Sequence, residues 1–268
     1  LQMNPSQYAS FFVEHGYLVF SDLLDKSAVA TSHQEVNRLH QVALYLLEKG
    51  QLNDSDYQLE PYAKINRADD KPVLRKIENT RRHSPWFSAL ASYQPLVSVI
   101  QSLLGEDLLL FRSTLMLKPA HHGSAHAFHQ DSAYWPMDPP SLVTISIALE
   151  DATPENGCIR VIPGSHQGDL QAWGHIAQDQ HATLTELNDV YLSGQIDVPL
   201  KAGSAVIFHS KLVHGSGANT TDTSRNTALY AYFSPDVQYR PGANGPQRRT
   251  FPIIAGMQGA TEHEMVAG

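Results

Sequence analysis

The stretch "HQDSAYWP" places His129 and Asp131 two residues apart, where both side chains could reach one point. In a β-strand, residues i and i+2 point to the same face of the sheet. A later stretch, "AVIFHSKLVHGSG", offers two candidates for a third ligand, His209 and His214. Two histidines and one carboxylate on one side of a metal ion are typical of non-haem Fe(II) sites. The spacing alone leaves the third ligand open, and a His-x-Asp pair also occurs as a surface hydrogen-bonding pair.

The elements that would hold these residues are strands. From residue 107 onward, apolar or alternating runs follow one another, separated by turn sequences such as "TPENG" and "KAG". The runs are "LLLFRSTLMLK", "LVTISIAL", "CIRVIP", "SGQIDVPL", "SAVIFHS" and "NTALYAYF". Strands without intervening helices predict an antiparallel sandwich or jelly roll. We therefore expect a mainly β protein built on a double-stranded β-helix (jelly roll, cupin-like). Asn156-Gly157 predicts a tight turn that serves the sheet rather than the chemistry.

The first hundred residues show helical periodicity instead. One helix is expected to end at Gly16, before the strand-like run "YLVF". A second is expected from a Ser27 cap to Gly50, and a third region ends at Gly105 and is broken at Pro95. The polar stretch between these helices lacks periodicity and predicts a loop, and "LRKIEN" after it is assigned to the helical part.

The chain shows no Gly/Ser/Pro-rich linker between its helical and strand-rich halves. We therefore expect one domain over residues 1–268, with N-terminal helices packed on one sheet face. Its parts would be a mostly helical cover at 1–106, a jelly-roll core at 107–235 and a C-terminal tail at 236–268.

Composition limits the possible partners. The 268 residues carry a net charge of −8, which argues against a general nucleic-acid or anionic-membrane partner. No apolar run approaches the roughly 20 residues that a membrane span needs. Cys158 is the only cysteine, so no intrachain disulfide can form. We expect a cytoplasmic protein that binds a small molecule, and the sequence does not indicate an oligomeric state.

Three stretches have the order and spacing of a known family: "HQDSAYWP", "ALEDATPENGCIRVIPGSH" and "HGSGANTTDTSRNTALYAYF". Across residues 111–233 the chain resembles the phytanoyl-CoA dioxygenase family of Fe(II)- and 2-oxoglutarate-dependent oxygenases. The family pattern has His-Gln-Asp, then an Asn-Gly turn followed by Pro-Gly-(Ser/Thr)-His, then His-Gly-Ser with an arginine eleven residues beyond that histidine. Here His214 and Arg225 have this separation.

The resemblance implies a ligand set and a cosubstrate site. His129, Asp131 and His214 would bind the metal, so that the later of the two candidate histidines is the third ligand. Arg225, helped by the Ser216 hydroxyl, would bind the distal carboxylate of 2-oxoglutarate, as suits a planar guanidinium. The expected cofactors are Fe(II), 2-oxoglutarate as cosubstrate and O2.

Five further residues match family positions near the cosubstrate or substrate. Gln130 lies in the His-Gln-Asp motif, Lys76 lies in "LRKIEN", and Thr114 lies on the first sheet strand, and all three are assigned to cosubstrate binding. Tyr134 and Trp135 follow the ligands and are assigned to the substrate. Each also has an ordinary structural interpretation. Gln130 could make a structural hydrogen bond, Lys76 could be a solvated lysine, and Thr114 could be an ordinary strand threonine. Tyr134 and Trp135 could be core aromatic residues.

The resemblance also implies a reaction: hydroxylation, or another oxidation of a C–H bond, of a small metabolite, with release of succinate and CO2. Some relatives that halogenate replace the carboxylate ligand by a small residue, so Asp131 favours hydroxylation. Two alternatives stay open, a cupin-like metal enzyme that does not use 2-oxoglutarate and a non-catalytic binding module on this scaffold. The sequence shows no basic cluster suited to the phosphates of CoA, which favours a small free metabolite.

Overall fold

The computed structural model describes residues 5–68, 70–171, 177–178 and 193–268. The helices in these ranges are α1 (Pro5–His15), α2 (Lys26–Glu48), α3 (Thr80–His83), α4 (Pro85–Leu90) and α5 (Gln94–Leu104). The strands are β1 (Tyr17–Phe20), β2 (Tyr57–Leu59), β3 (Arg67–Ala68), β4 (Lys71–Pro72), β5 (Leu74–Glu78), β6 (Leu108–Lys118), β7 (Ala125–His129), β8 (Met137–Asp138), β9 (Val143–Ala148), β10 (Ile159–Val161), β11 (Ala177–Gln178), β12 (Ile196–Val198), β13 (Ala205–His209), β14 (His214–Ser216), β15 (Arg225–Phe233), β16 (Gln238–Tyr239), β17 (Arg248–Ala255) and β18 (Glu262–Val266).

The helices begin and end largely where local chemistry predicts. α1 stops before Gly16, whose φ of +78° suits glycine. The Asp25 side chain accepts a hydrogen bond from the Ala28 amide at 2.7 Å, so the cap of α2 lies at Asp25 and the prediction of Ser27 was wrong. The predicted break at Pro95 is present, because this residue lies in the first turn of α5, after α4 has ended.

The larger sheet carries the helical layer on one face. Its strand order is β1-β13-β9-β15-β6-β17-β18, with β5 and β2 added beside β6. The strands of its centre are almost wholly buried, because the sheet is covered on both faces. On the face that carries the helices, the hydroxyls of Tyr230 and Tyr232 donate to the carbonyls of Phe87 and Ala91, each at 2.8 Å. These bonds fix the α4 region on the sheet, as the predicted jelly roll with helical cover requires.

The smaller sheet has the order β11-β7-β14-β10-β12. Its central pair, β7 and β14, places His129 directly opposite His214. Gly215 allows this close pairing, since a Cβ there would lie 2.8 Å from the carbonyl oxygen of His126. The two sheets enclose a cavity between them, with residues of β6 and β15 on one wall and of β7 and β14 on the other.

Two segments differ from the sequence-based expectation. "LRKIEN" forms strand β5, not part of a helix, and it pairs with β6 through Lys76 and Met116. The stretch before it contains strand β2, which pairs with β5. The periodicity of a five-residue segment is too short to distinguish a helix from a strand. The segment becomes a strand because β6 offers an unpaired edge to which it can hydrogen-bond. The C-terminal tail likewise adds a strand, β17, to β6.

Among the described residues, no helix combines the length and the apolarity that crossing a membrane would require.

Candidate active site

His129, Asp131 and His214 meet between the two sheets. Asp131 follows β7 after one extended residue and begins a short 3-10 turn, so it lies just beyond the strand that its spacing predicted. Its Oδ1 atom lies 3.5 Å from Nε2 of His129 and 3.9 Å from Nε2 of His214. One ligand atom from each residue therefore lies within 4.8 Å of the others, which is a distance that one metal ion can span.

Both histidines have a fixed tautomer. Nδ1 of His129 donates to the carbonyl of Ala127 at 2.8 Å, and Nδ1 of His214 donates to that of Leu212 at 2.9 Å. Since a carbonyl can only accept, each ring carries a proton on Nδ1 and turns its Nε2 atom towards Asp131. Burial, together with the neighbouring His129, lowers the pKa of His214 to about 4, so the ring is neutral at neutral pH.

Asp131 is buried and ionised. Burial raises the pKa of its carboxyl, but His214, His129 and Arg112 lower it by more, so the net shift is downward. The hydroxyl of Thr144 donates to Oδ2 at 3.1 Å, which leaves Oδ1 facing the two rings. Nε2 of His129, Nε2 of His214 and Oδ1 of Asp131 thus face one another across a few ångströms. A bound divalent cation would stabilise this arrangement, and the donor set suits Fe(II).

His209, the other candidate ligand, lies outside this cluster. Its Nδ1 accepts a hydrogen bond from the Lys211 amide at 3.0 Å, and its ring packs near Phe12 and His166. Burial lowers its pKa to about 4. The structure brings His214, and not His209, to the His-Asp pair.

Arg225 is a buried cation. Its Nη1 donates to the Thr227 hydroxyl at 2.7 Å, its Nη2 donates to the carbonyl of Gly157, and its Nε is buried with no hydrogen-bond partner among the described residues. Within the described part of the chain, no carboxylate lies at ion-pair distance from it. Burial lowers its pKa to about 10, so it remains charged at neutral pH. A buried unpaired charge is costly, and a ligand carboxylate would compensate it.

The Asn156-Gly157 turn helps to place Arg225. Gly157 has a φ of +80°, as the turn prediction required, and a Cβ there would overlap the carbonyl of Gly217. Its own carbonyl accepts the hydrogen bond from Arg225. The expectation that this turn serves only the sheet was therefore incomplete.

A cavity of about 430 Å³ contains the triad and Arg225. Four other residues assigned from the sequence line it, namely Lys76, Ser216, Tyr134 and Trp135. The Tyr134 ring lies 6.2 Å from that of His129 and the side chain is 43% exposed, so it stands at the mouth. The Trp135 ring packs 4.8 Å from Phe111 and is partly buried.

Two residues assigned to the cosubstrate are engaged elsewhere and are not among the described residues that line the cavity. The Gln130 amide donates to the carbonyl of Lys211 and accepts from the amide of Gln171, both at 2.9 Å. The hydroxyl of Thr114 donates to Glu78 at 2.8 Å. Gln130 alternates away from the ligands, as extended backbone requires. The Thr114 hydroxyl contacts Glu78 and accepts a hydrogen bond from Nε of Arg112 at 2.9 Å.

The sequence analysis missed several cationic residues of the cavity. Arg112 and Lys118 lie on β6, on the same face of the strand as Thr114, as strand alternation predicts. Lys118 is buried opposite Arg225 and donates to the carbonyls of Ser124 and Gly217 at 2.6 and 2.5 Å. Their position in the cavity could not be read from local sequence, because four separate strands form its walls.

A jelly roll that brings two histidines and a carboxylate to one point is typical of non-haem Fe(II) oxygenases. The buried arginine in the same cavity matches the class that also uses 2-oxoglutarate. A sequence profile described as "Phytanoyl-CoA dioxygenase (PhyH)" matches residues 12–227. The rat "Phytanoyl-CoA dioxygenase, peroxisomal" is 27% identical over 239 residues, which cover 85% of this chain and 68% of that protein.

Solved structures are similar over most of the chain. EctD from S. alaskensis, solved with 2-oxoglutarate and 5-hydroxyectoine, superposes with a TM-score of 0.71 at 24% identity, covering 92% of this chain and 84% of that one. The epimerase SnoN, solved with Fe3+, alpha ketoglutarate and nogalamycin RO, gives a TM-score of 0.70 at 22% identity, covering 93% and 98%.

The chain belongs to the phytanoyl-CoA dioxygenase family. It is an Fe(II)- and 2-oxoglutarate-dependent dioxygenase, which confirms the class, the fold and the cofactors expected from the sequence.

Proposed function

We propose that the protein hydroxylates a C–H bond of a small metabolite, with His129, Asp131 and His214 as the iron ligands. The observation that supports these roles most directly is the convergence of three possible ligand atoms in a cavity that also holds the buried Arg225, which has no carboxylate partner among the described residues. When bound, iron with 2-oxoglutarate and O2 supplies the oxidation, and one oxygen atom enters the substrate while the other enters succinate, with release of CO2.

The protein's own residues bind and orient. Arg225 and the Ser216 hydroxyl, which line one cavity with the triad, would hold the distal carboxylate of 2-oxoglutarate and direct its keto-acid end towards the ligands. Lys76 lines the same cavity and adds positive charge to the wall. Tyr134 and Trp135, at and beside the mouth, would contact the substrate.

Apolar side chains from both sheets complete the cavity, among them Met116, Ile159, Phe208 and Leu229. They limit the access of water to the metal position and strengthen the electrostatic contacts inside. A substrate that fits against these walls would present a C–H bond to the metal position.

The first experiment is an anaerobic titration of the purified protein with Fe(II) and then with 2-oxoglutarate, monitored by visible absorption. A charge-transfer band is expected only when both are present, because the keto acid must chelate the metal. In Arg225→Ala the band should need at least tenfold more 2-oxoglutarate, since the charge-assisted hydrogen bonds to the distal carboxylate are lost.

Arg248→Ala is the matched control. Arg248 is exposed and pairs with Glu264 at 2.9 Å on the β17–β18 hairpin, so its loss should leave the titration unchanged. Metal binding without any band would contradict the proposal and favour a cupin-like enzyme that does not use 2-oxoglutarate. A band without succinate release under O2, over a broad substrate panel, would favour the binding module.

A further inference from the structure

The cavity is strongly basic although the chain as a whole is acidic. Its described lining includes five lysine and arginine side chains, and Asp131 is the one carboxylate among the described lining residues. The five are Arg75, Lys76, Arg112, Lys118 and Arg225. The net charge of the whole chain is −8. A cleft of one sign with low-dielectric walls concentrates ligands of the opposite sign.

2-Oxoglutarate can account for the basic residues at one end only. Lys118 and Arg225 lie opposite each other on β6 and β15, at the end proposed for the distal carboxylate. Arg112 lies six residues from Lys118 on the same strand, so their Cα atoms are about 20 Å apart. A five-carbon diacid anchored at Arg225 and directed at the triad does not extend to Arg112.

Arg112 belongs to a charged group that we call the basic wall, formed by Lys76, Glu78 and Arg112. Oε1 of Glu78 accepts from Lys76 Nζ at 2.7 Å and from Arg112 Nη2 at 2.6 Å. Oε2 accepts from Arg112 Nε at 3.2 Å and from the Thr114 hydroxyl at 2.8 Å. The carboxylate is therefore fully engaged, and the three charged groups of the wall sum to one positive charge.

Glu78 fixes Arg112 without using all of its donors. The hydrogen bonds of the described residues leave Nη1 of Arg112 unengaged, and the side chain is 28% exposed. Arg112 lines the same cavity as Asp131, and two hydrogen bonds to Glu78 hold its guanidinium in place. A fixed guanidinium therefore faces this cavity at the end away from Arg225.

We infer that the substrate carries an anionic group, a carboxylate or a phosphate, and that Arg112 binds this group at the mouth of the cavity. This inference rests on the proposed function and names the substrate class for the same site. The sequence showed no basic cluster suited to the phosphates of CoA, and the basic residues of this cavity meet only in the folded chain. The cluster forms only when β5 pairs with β6, and linear sequence separates its members.

The test uses matched probes that differ in charge. Short straight-chain carboxylates are compared with their primary amides, and alkyl phosphates with their parent alcohols. Binding is measured by isothermal titration calorimetry under nitrogen, on protein loaded with Fe(II) and saturated with 2-oxoglutarate, so that the Arg225 end is occupied. At least one acid series should bind tenfold or more tightly than its neutral partners, as charge-assisted hydrogen bonds predict. The series that does so identifies the group as carboxylate or phosphate.

The variant Arg112→Gln should reduce this acid-to-neutral ratio to near one. Arg112→Lys, which keeps the charge and loses the fork, should restore part of it. The control Arg248→Gln loses an arginine that is also paired with a glutamate, and should keep the wild-type ratio. Because the readout is a ratio, a general loss of folded protein does not imitate the effect.

Two results would overturn the inference: equal binding of acids and neutral partners by the wild type, or an acid preference that persists in Arg112→Gln. Failure of the proposed function is distinguishable, since it would appear earlier, as the absence of the band that requires both Fe(II) and 2-oxoglutarate.

Discussion

Each metal ligand is held by a hydrogen bond to a group outside the ligand set. Main-chain carbonyls two residues earlier orient both histidine rings, and Thr144 orients the carboxylate of Asp131. These contacts fix the direction of both rings and of the carboxylate before a metal arrives. Removing such a partner typically weakens metal binding by about 10- to 100-fold.

The variant Thr144→Val tests whether the Thr144 hydroxyl orients Asp131 for metal binding. Thr144 is fully buried on β9, and valine preserves its shape while removing the donor to Asp131. We expect the dissociation constant for Fe(II), measured anaerobically by competition with a chelator, to rise about tenfold. Thr250→Val, at an exposed position on β17, should leave it unchanged. Equal affinities in all three proteins would show that the hydroxyl does not orient the ligand.

At the scale of elements, turns and strand edges position the site. The turn at Gly157 supplies the carbonyl that receives Arg225, and the edge of β6 recruits β5 with its charged residues. The turn can be predicted from its Asn-Gly pair. The pairing of β5 with β6 cannot, because it depends on which strand edge is free in the folded sheet, and local sequence does not contain that information.

Gly157→Ala should damage both the fold and the cosubstrate site. The added Cβ meets the carbonyl of Gly217 at a φ that alanine rarely adopts, so the turn must move. We expect a loss of about 1–3 kcal/mol in the free energy of unfolding, measured in urea, and a tenfold weaker affinity for 2-oxoglutarate.

Gly50→Ala is the control for that prediction. Gly50 also has a positive φ, +69°, but a Cβ there would meet nothing within 4 Å. It should lose about 1 kcal/mol or less of stability and keep its affinity for 2-oxoglutarate. Equal losses of affinity in the two variants would contradict the role assigned to the Gly157 carbonyl.

The long strands and the ligand set could be predicted, whereas the full cavity could not. The run "LLLFRSTLMLK" corresponds to β6 residue for residue, and "YLVF" to β1, because their apolar patterns have a strand length and clear boundaries. The convergence of His129 with His214 follows from family motifs rather than from spacing. Arg112 was not identified as a cavity residue from the sequence. An arginine in an apolar strand indicates a binding site only when the opposite wall of the cavity is known.

At the scale of the whole molecule, buried histidines link stability to pH. His209 has a pKa of about 4 in the folded protein, because of burial, against an ordinary value of 6.5. The unfolded chain therefore binds this proton at a higher pH than the folded chain does. The contribution to stability is complete above pH 6.5 and is lost as the pH falls towards 4.

His209→Asn should reduce this acid sensitivity in the metal-free protein. Asparagine can retain the acceptor for the Lys211 amide but does not titrate. Between pH 6.5 and 4, the fall in the free energy of unfolding should be smaller than in the wild type by up to about 3 kcal/mol. Urea denaturation at several pH values measures it, and parallel curves for the two proteins would exclude the contribution.

The side-chain amide of Gln130 connects the segment after β10 to the ligand motif. It donates to the carbonyl of Asp169 and accepts from the amide of Gln171. The ligands themselves are held by the β7–β14 pair and by Thr144, which lie outside that segment. The hydrogen bonds that orient the three ligands therefore come from outside this segment. A descendant of this chain can change residues 162–171 and keep the contacts that hold its metal-binding centre.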